Sequence, residues 1–175
     1  MPETVPISAL TGEPARVWSV WGSAALFLAA VPVLAVSVGV CFWTAVEDFN
    51  GAAWIFRIAN PQELHWKVLL VVALTFSVVV IGAFLGVTGF YAWQGYSWTR
   101  WSGLIAVALA AAAILINPVA WAVPIMAAVG EILLWLPATK RYFDTWRVRR
   151  HPEDNFEAVQ ARVVYGPVPR YRWAK

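Results

Sequence analysis

Residues 68–92 read VLLVVALTFSVVVIGAFLGVTGFYA and contain no charged side chain. The uncharged stretch continues to residue 99, and residues 17–46 and 101–130 form two further stretches of the same kind. Each stretch is longer than the roughly 20 apolar residues that a helix needs to cross a bilayer core about 30 Å thick. The sequence therefore predicts an all-α integral membrane protein.

The third uncharged stretch is broken only by Asn117-Pro118, a pair that favours a turn. The apolar segments on its two sides are each long enough for one crossing at about 1.5 Å per helical residue. We therefore expect a tight hairpin here and a bundle of four transmembrane helices in total. The predicted spans are about residues 18–45, 66–93, 101–116 and 119–137, within a transmembrane domain of residues 16–137.

The composition argues against an enzyme. Hydrophobic residues make up 61% of the chain and charged residues only 13%, so four spans leave no room for a separate catalytic domain in 175 residues. The single cysteine, Cys41, lies inside the first span, which excludes a disulfide framework and a multi-cysteine metal site within one chain. His65 and His151 fall on opposite sides of the membrane. We expect no catalytic activity, no cofactor and no metal site.

The basic residues predict the orientation of the bundle. Arg16, Arg100 and the nine lysines and arginines after the fourth span fall on one side of the membrane, which accounts for eleven of the thirteen. Only Arg57 and Lys67 fall on the other side. Because short cytoplasmic loops and flanks carry the excess of positive charge, both termini are predicted to be cytoplasmic. Tryptophans near both ends of the spans agree with this model, since indole rings favour the two interfaces.

The external segment between the first two spans, residues 46–66, is too long for a simple turn. Its middle, residues 52–58, reads AAWIFRI and is apolar enough to lie along the membrane surface as a short amphipathic segment. Asn60 is suited to an N-cap and Pro61 to the first helical position, so a helix leading into the second span is expected to begin there.

Small residues mark the predicted contacts between helices. Gly82 and Gly86 have the small-xxx-small spacing that allows two membrane helices to approach closely. Gly103, Ala106 and Ala110 share one face of the third span, and we expect this face to pack on the two glycines. A contact between two copies of the chain is the alternative.

Glu131 is the one acidic residue inside a predicted span, and it is the main candidate for a functional site. Ionisable groups at this depth cost about 2.5 to 3.5 kcal/mol on insertion scales, so they usually face protein or water. Arg100 could reach inward to form a partly buried pair with it. Three interpretations remain open: a polar clamp or subunit contact, a site for a proton or cation, and a side chain that reaches the headgroups.

The N-terminal arm, residues 1–15, is expected to be mobile or to lie on a surface. The tail, residues 138–175, is both basic and aromatic. Basic clusters next to a span bind anionic headgroups at about 1 kcal/mol per residue, whereas the aromatic residues favour contact with a protein. Nucleic acid is not an expected partner. The residues predicted to contact lipid or a partner are Lys140, Arg141, Tyr142, Trp146, Arg147, Arg149 and Arg150.

These features predict a non-enzymatic accessory, assembly or scaffold subunit of a larger complex in the cytoplasmic membrane, or a homo-oligomer. The alternative is a small transporter or channel that uses Glu131 for proton or cation coupling. The tryptophan-rich, arginine-tailed composition resembles that of small membrane proteins of high-GC bacteria. This resemblance covers composition alone, and it implies a bacterial cytoplasmic membrane as the location.

Overall fold

The computed structural model describes residue 6 and residues 13–150. In this part of the chain the ordered elements are helices, and no β-strand is present. The α-helices, in chain order, are α1 (Trp18–Glu47), α2 (Phe49–Ala52), α3 (Trp54–Ala59), α4 (Leu64–Trp93), α5 (Thr99–Ala110), α6 (Ala122–Trp135) and α7 (Pro137–Arg150). Two short 3₁₀ segments, Ala111–Leu115 and Pro118–Trp121, lie between α5 and α6. Most of the predicted arm and the tail from residue 151 lie outside the described residues.

Three elements are long and apolar enough to cross a membrane, which confirms the predicted helical membrane class. They are α1, α4 and the continuous run Pro118–Trp135. The run Thr99–Leu115 is also apolar but shorter. All four coincide with the predicted spans to within two residues at either end.

The four apolar elements pack in the ring order α1, α4, α5, α6. Helix α1 contacts α4 and α6, and α5 also contacts both of these helices. Phe27 of α1 is fully buried between glycines of its two neighbours. A Cβ atom at Gly89 of α4 would lie 3.0 Å from Phe27 Cβ, and one at Gly130 of α6 would lie 3.2 Å from Phe27 Cδ2. The large ring of Phe27 is therefore accommodated because both flanking helices lack a side chain at the contact.

The small residues of α5 are buried, but they do not pack on the two glycines of α4. Gly103, Ala106 and Ala110 are all buried. A Cβ atom at Gly82 or Gly86 would meet no atom within 4 Å, so these glycines do not contact α5. The prediction that they form its packing partner is wrong within this chain. Helix rotation is the physical reason, because the inward face of α4 passes through Leu85, Thr88 and Gly89 instead.

Asn117 anchors the hairpin between α5 and α6 to Ser37 of α1. Its side-chain amide donates to the Ser37 carbonyl oxygen at 2.8 Å, and the Ser37 hydroxyl donates back to Asn117 Oδ1 at 2.9 Å. The same oxygen accepts the backbone N–H of Ala120 at 3.1 Å. The Asn-Pro pair thus makes a turn whose polar groups are satisfied within a buried environment.

The segment between α1 and α4 folds over the hairpin end of the bundle. The backbone N–H of Trp54 donates to the Ile116 carbonyl oxygen at 3.1 Å, and Phe56 is fully buried and stacked on Phe49. Asn60 adopts a left-handed conformation with φ 41° and ends α3. Helix α4 begins at Leu64, so the predicted helix start at Asn60 is wrong: this residue serves as a C-cap, a position that asparagine tolerates.

Candidate functional site

Glu131 lies on the inward face of α6 and is only 5% exposed. The indole Nε1–H of Trp135, one turn further along α6, donates a hydrogen bond to Glu131 Oε1. The other carboxyl oxygen, Oε2, is buried and has no hydrogen-bond partner. Burial with one oxygen unpartnered is costly, so this carboxyl group is the strongest candidate for a role beyond packing.

Gly103 of α5 provides the space that the carboxyl group occupies. A Cβ atom at this position would lie 1.7 Å from Glu131 Oε2 and 2.8 Å from its Cδ. No side chain larger than hydrogen can therefore stand at residue 103 while Glu131 keeps its place. The predicted packing glycine and the predicted polar residue are thus parts of one contact between α5 and α6.

Arg100 does not form an ion pair with Glu131. Its Nε–H instead donates to the Leu134 carbonyl oxygen at 3.1 Å. The guanidinium carbon lies 5.2 Å from the ring centroid of Phe143 and 5.8 Å from that of Trp135, distances at which cations and aromatic faces attract. Arg100 therefore caps the end of α6, where a positive charge is favoured.

Buried hydroxyl groups lie on α1, α4 and α5. Thr88 of α4 and Ser102 of α5 share a hydrogen bond of 3.0 Å between their oxygens, and Ser102 Oγ also donates to the Thr99 carbonyl oxygen at 3.1 Å. Ser23 of α1 is fully buried, and its hydroxyl has no hydrogen-bond partner. The interior of the bundle therefore holds polar groups on α1, α4 and α5, which are otherwise strongly apolar.

A second cluster lies where α7 folds back against the bundle. The Tyr142 hydroxyl donates to the Trp93 carbonyl oxygen at 3.0 Å, close to the end of α4. The hydroxyl oxygens of Ser19 and Thr139 are 2.7 Å apart and join the start of α1 to α7. Tyr142 is fully buried, and this burial raises the pKa of its phenol above the ordinary value. The tyrosine is thus a fixed part of the fold.

Arg150 completes the attachment of α7. Its guanidinium group donates to the Gly95 carbonyl oxygen at 3.2 Å and also to the Gln94 carbonyl oxygen. The guanidinium carbon lies 3.9 Å from the Tyr96 ring centroid and 4.6 Å from that of Trp146. A cation at the open carbonyls of a helix C-terminus is favourable. We call Tyr142, Trp146 and Arg150, together with their partners at residues 93–96, the α7 clamp.

The predicted contact residues of the tail divide into two groups. Tyr142, Trp146 and Arg150 belong to the α7 clamp, so they contact the chain itself. The other four, which remain exposed on α7, are Lys140, Arg141, Arg147 and Arg149. The sequence pattern did not reveal this division, because the partners of the clamp lie about 50 residues away along the chain. The tail from residue 151 lies outside the described residues.

Metal chemistry finds no ligand set in residues 13–150. No group of three or more histidine, cysteine, aspartate or glutamate side chains comes together there.

The chain matches no protein-family model, and it has no significant match among curated proteins or solved structures.

Proposed function

We propose that this protein is a non-enzymatic accessory or scaffold subunit that crosses the cytoplasmic membrane four times and binds a transmembrane helix of a larger partner. The observation that carries the proposal is the open glycine pair on α4, Gly82 and Gly86: among the described residues, a Cβ atom at either position would meet no atom within 4 Å. The topology decides which surfaces can reach a partner.

The length of the shorter apolar element supports four crossings. The 12 residues of α5 and the five 3₁₀ residues that follow reach about 28 Å, at about 1.5 Å and 2.0 Å per residue respectively. The run Pro118–Trp135 reaches about 29 Å on the same basis. Both values match a hydrocarbon core of about 30 Å. The 3₁₀ segments thus lengthen two short elements enough to span.

The topology predicts opposite labelling of two introduced cysteines. Glu47→Cys, at the outer end of α1, should react with a membrane-impermeant thiol reagent in intact cells, whereas Arg149→Cys on α7 should react only after lysis. Native Cys41 is fully buried, so its own labelling should give only a low background signal. Labelling of Arg149→Cys alone in intact cells would place the termini outside and reverse the proposed orientation.

The open glycines give α4 a face that gains stability only from a neighbour outside the chain. A glycine inside a helix costs roughly 1 kcal/mol relative to alanine, and neither Gly82 nor Gly86 offsets that cost by a contact within the bundle. At small-xxx-small spacing two membrane helices can approach until their backbones touch. The partner is therefore proposed to place a helix along this face. The exposed basic residues of α7 are proposed to lie near the headgroups or the partner's loops.

We expect Gly82→Leu and Gly86→Leu to abolish partner binding while the chain still folds. A leucine fits the open space of the monomer, but it holds a second helix away. The measurement is recovery of a stoichiometric partner after mild detergent extraction, together with thermal stability of the purified variant. Gly39→Leu on α1 is the matched control, because Gly39 is open too but lies outside the α4 face.

Gly89→Leu provides the opposite control. Its side chain would collide with Phe27, so we expect loss of the bundle itself. Unchanged partner recovery from both α4 variants would reject this face as the binding surface. A partner that proves to be a second copy of the chain would replace the accessory role with a homo-oligomer.

A small proton or cation transporter is the second candidate, and the unpartnered Oε2 of Glu131 is the observation that favours it. Flux through purified protein in sealed vesicles would decide between the two candidates. Proton or cation flux that disappears in Glu131→Gln supports transport, whereas correctly folded protein without flux supports the accessory role.

A further inference from the structure

We infer that Glu131 Oε2 is a proton-binding site inside the bundle, and that the folded bundle holds this side chain as the neutral acid. The inference goes beyond the accessory role and does not depend on the identity of any partner. It also makes no statement about transport, since a bound proton need not cross the membrane.

The contacts of the carboxyl group favour a neutral acid. An ionised carboxylate in a membrane interior needs several hydrogen-bond donors or a paired cation. Glu131 has one donor, the Trp135 indole, on Oε1, while Oε2 faces the backbone of Gly103 without a partner. A proton on Oε2 removes the charge and leaves Oε1 as the carbonyl oxygen that accepts the indole N–H.

The charged groups around the site are few. Arg100 of α5 interacts with Glu131 electrostatically but forms no ion pair with it: its Nε–H donates to the Leu134 carbonyl oxygen, and its buried Nη2 has no hydrogen-bond partner. Asp144 of α7 also interacts with Arg100 electrostatically. Glu131 is the one charged residue of α6. The charged residues of α1 and α4 are Glu47 and Lys67, and both lie near the end of the bundle where the hairpin joins α5 to α6. Arg100 is therefore the cation that acts on the carboxylate, and it does so without a direct ion pair.

A proton fits this site better than a metal ion. Calcium takes six to eight oxygen ligands and magnesium requires near-octahedral coordination, whereas a proton needs a single oxygen. In residues 13–150 no cluster of three or more acidic, histidine or cysteine side chains exists to complete such a shell. Glu131 lies four residues before the end of α6, about 6 Å along the axis, so exchange with solvent has its shortest path at the α7 end.

Infrared spectroscopy of the full chain in lipid nanodiscs tests the inference. A neutral carboxylic acid has a carbonyl stretch at higher frequency than a carboxylate, and the band shifts in D₂O. We expect the wild-type protein at neutral pH to show such a band and Glu131→Gln to lose it completely. If Glu131→Gln instead removes carboxylate intensity and leaves the acid region unchanged, the inference is wrong.

Trp135→Phe adds a test that does not require the glutamate to be replaced. Because the indole N–H donates to Oε1, its loss should move the acid carbonyl band to higher frequency without removing it. An ionised Glu131 would leave the acid region unaltered in this variant. If Glu131→Gln fails to fold, the wild-type protein alone can be used, with the acid carbonyl band assigned by ¹³C labelling of glutamate. Absence of that band from the wild-type spectrum at neutral pH overturns the inference.

Discussion

Replacement of Gly103 by alanine is expected to destabilise the bundle by about 1 to 2 kcal/mol, although alanine is normally the better helix former by about 1 kcal/mol. The added methyl group would lie 1.7 Å from Glu131 Oε2 and 2.8 Å from its Cδ, so the whole carboxyl group must leave its place. That movement also breaks the hydrogen bond from Trp135. The free energy of unfolding in mixed detergent micelles is the quantity to measure.

The double variant Gly103→Ala/Glu131→Ala separates this clash from a general effect on α5. Removal of the carboxyl group leaves room for the new methyl group, so the two changes should couple by about 2 kcal/mol in the favourable direction. Gly86→Ala is the matched control, since its Cβ meets open space and should be neutral or slightly stabilising. Simple additivity of the two changes would show that Glu131 does not lie against Gly103.

Replacement of Gly95 by alanine is expected to detach α7 from the bundle, at a total cost of about 3 kcal/mol. Gly95 has φ 79°, a conformation that costs an alanine about 1 to 2 kcal/mol. The new Cβ would also lie 2.2 Å from Trp146 Cδ1. Once Trp146 moves, Arg150 loses its position over the carbonyl oxygens of residues 94 and 95. Faster tryptic cleavage after Arg147 and Arg149 would report the release.

A second variant divides the Gly95 effect into its two causes. Trp146→Ala removes the collision but not the backbone strain, so Gly95→Ala in that background should cost only about 1 to 2 kcal/mol. If Gly95→Ala resists trypsin as well as the unchanged chain does, the α7 clamp does not depend on this glycine.

The helical class and the approximate limits of the apolar helices could be predicted from the sequence, since hydropathy over about 20 residues is a local property. The turn at Asn117-Pro118 was equally local. The role of Asn60 was not, because the same residue suits either end of a helix and only the start of α4 at Leu64 distinguishes them. Helix ends are decided by a few hydrogen bonds that neighbouring elements can shift.

Glu131 stood out in the sequence, but its surroundings did not. Trp135 could have been expected, because residues four apart lie on one face of a helix. Gly103 belongs to another helix, and its match to Glu131 depends on how α5 and α6 are rotated and how far they slide along each other. The same uncertainty misled the prediction for Gly82 and Gly86, since apolar membrane helices have faces that hydropathy does not distinguish.

Residue type and hydropathy are enough to predict that this chain is helical and apolar enough for a membrane, that Asn117 makes a turn, and that Glu131 is its most unusual residue. The packed helices were needed to show that Phe27 lies between two glycines, that Gly82 and Gly86 face outward, and that Arg150 binds residues 94 and 95. The reason is physical: insertion energies add residue by residue, whereas packing depends on helix rotations, and a change of 100° per residue turns each neighbour to another face.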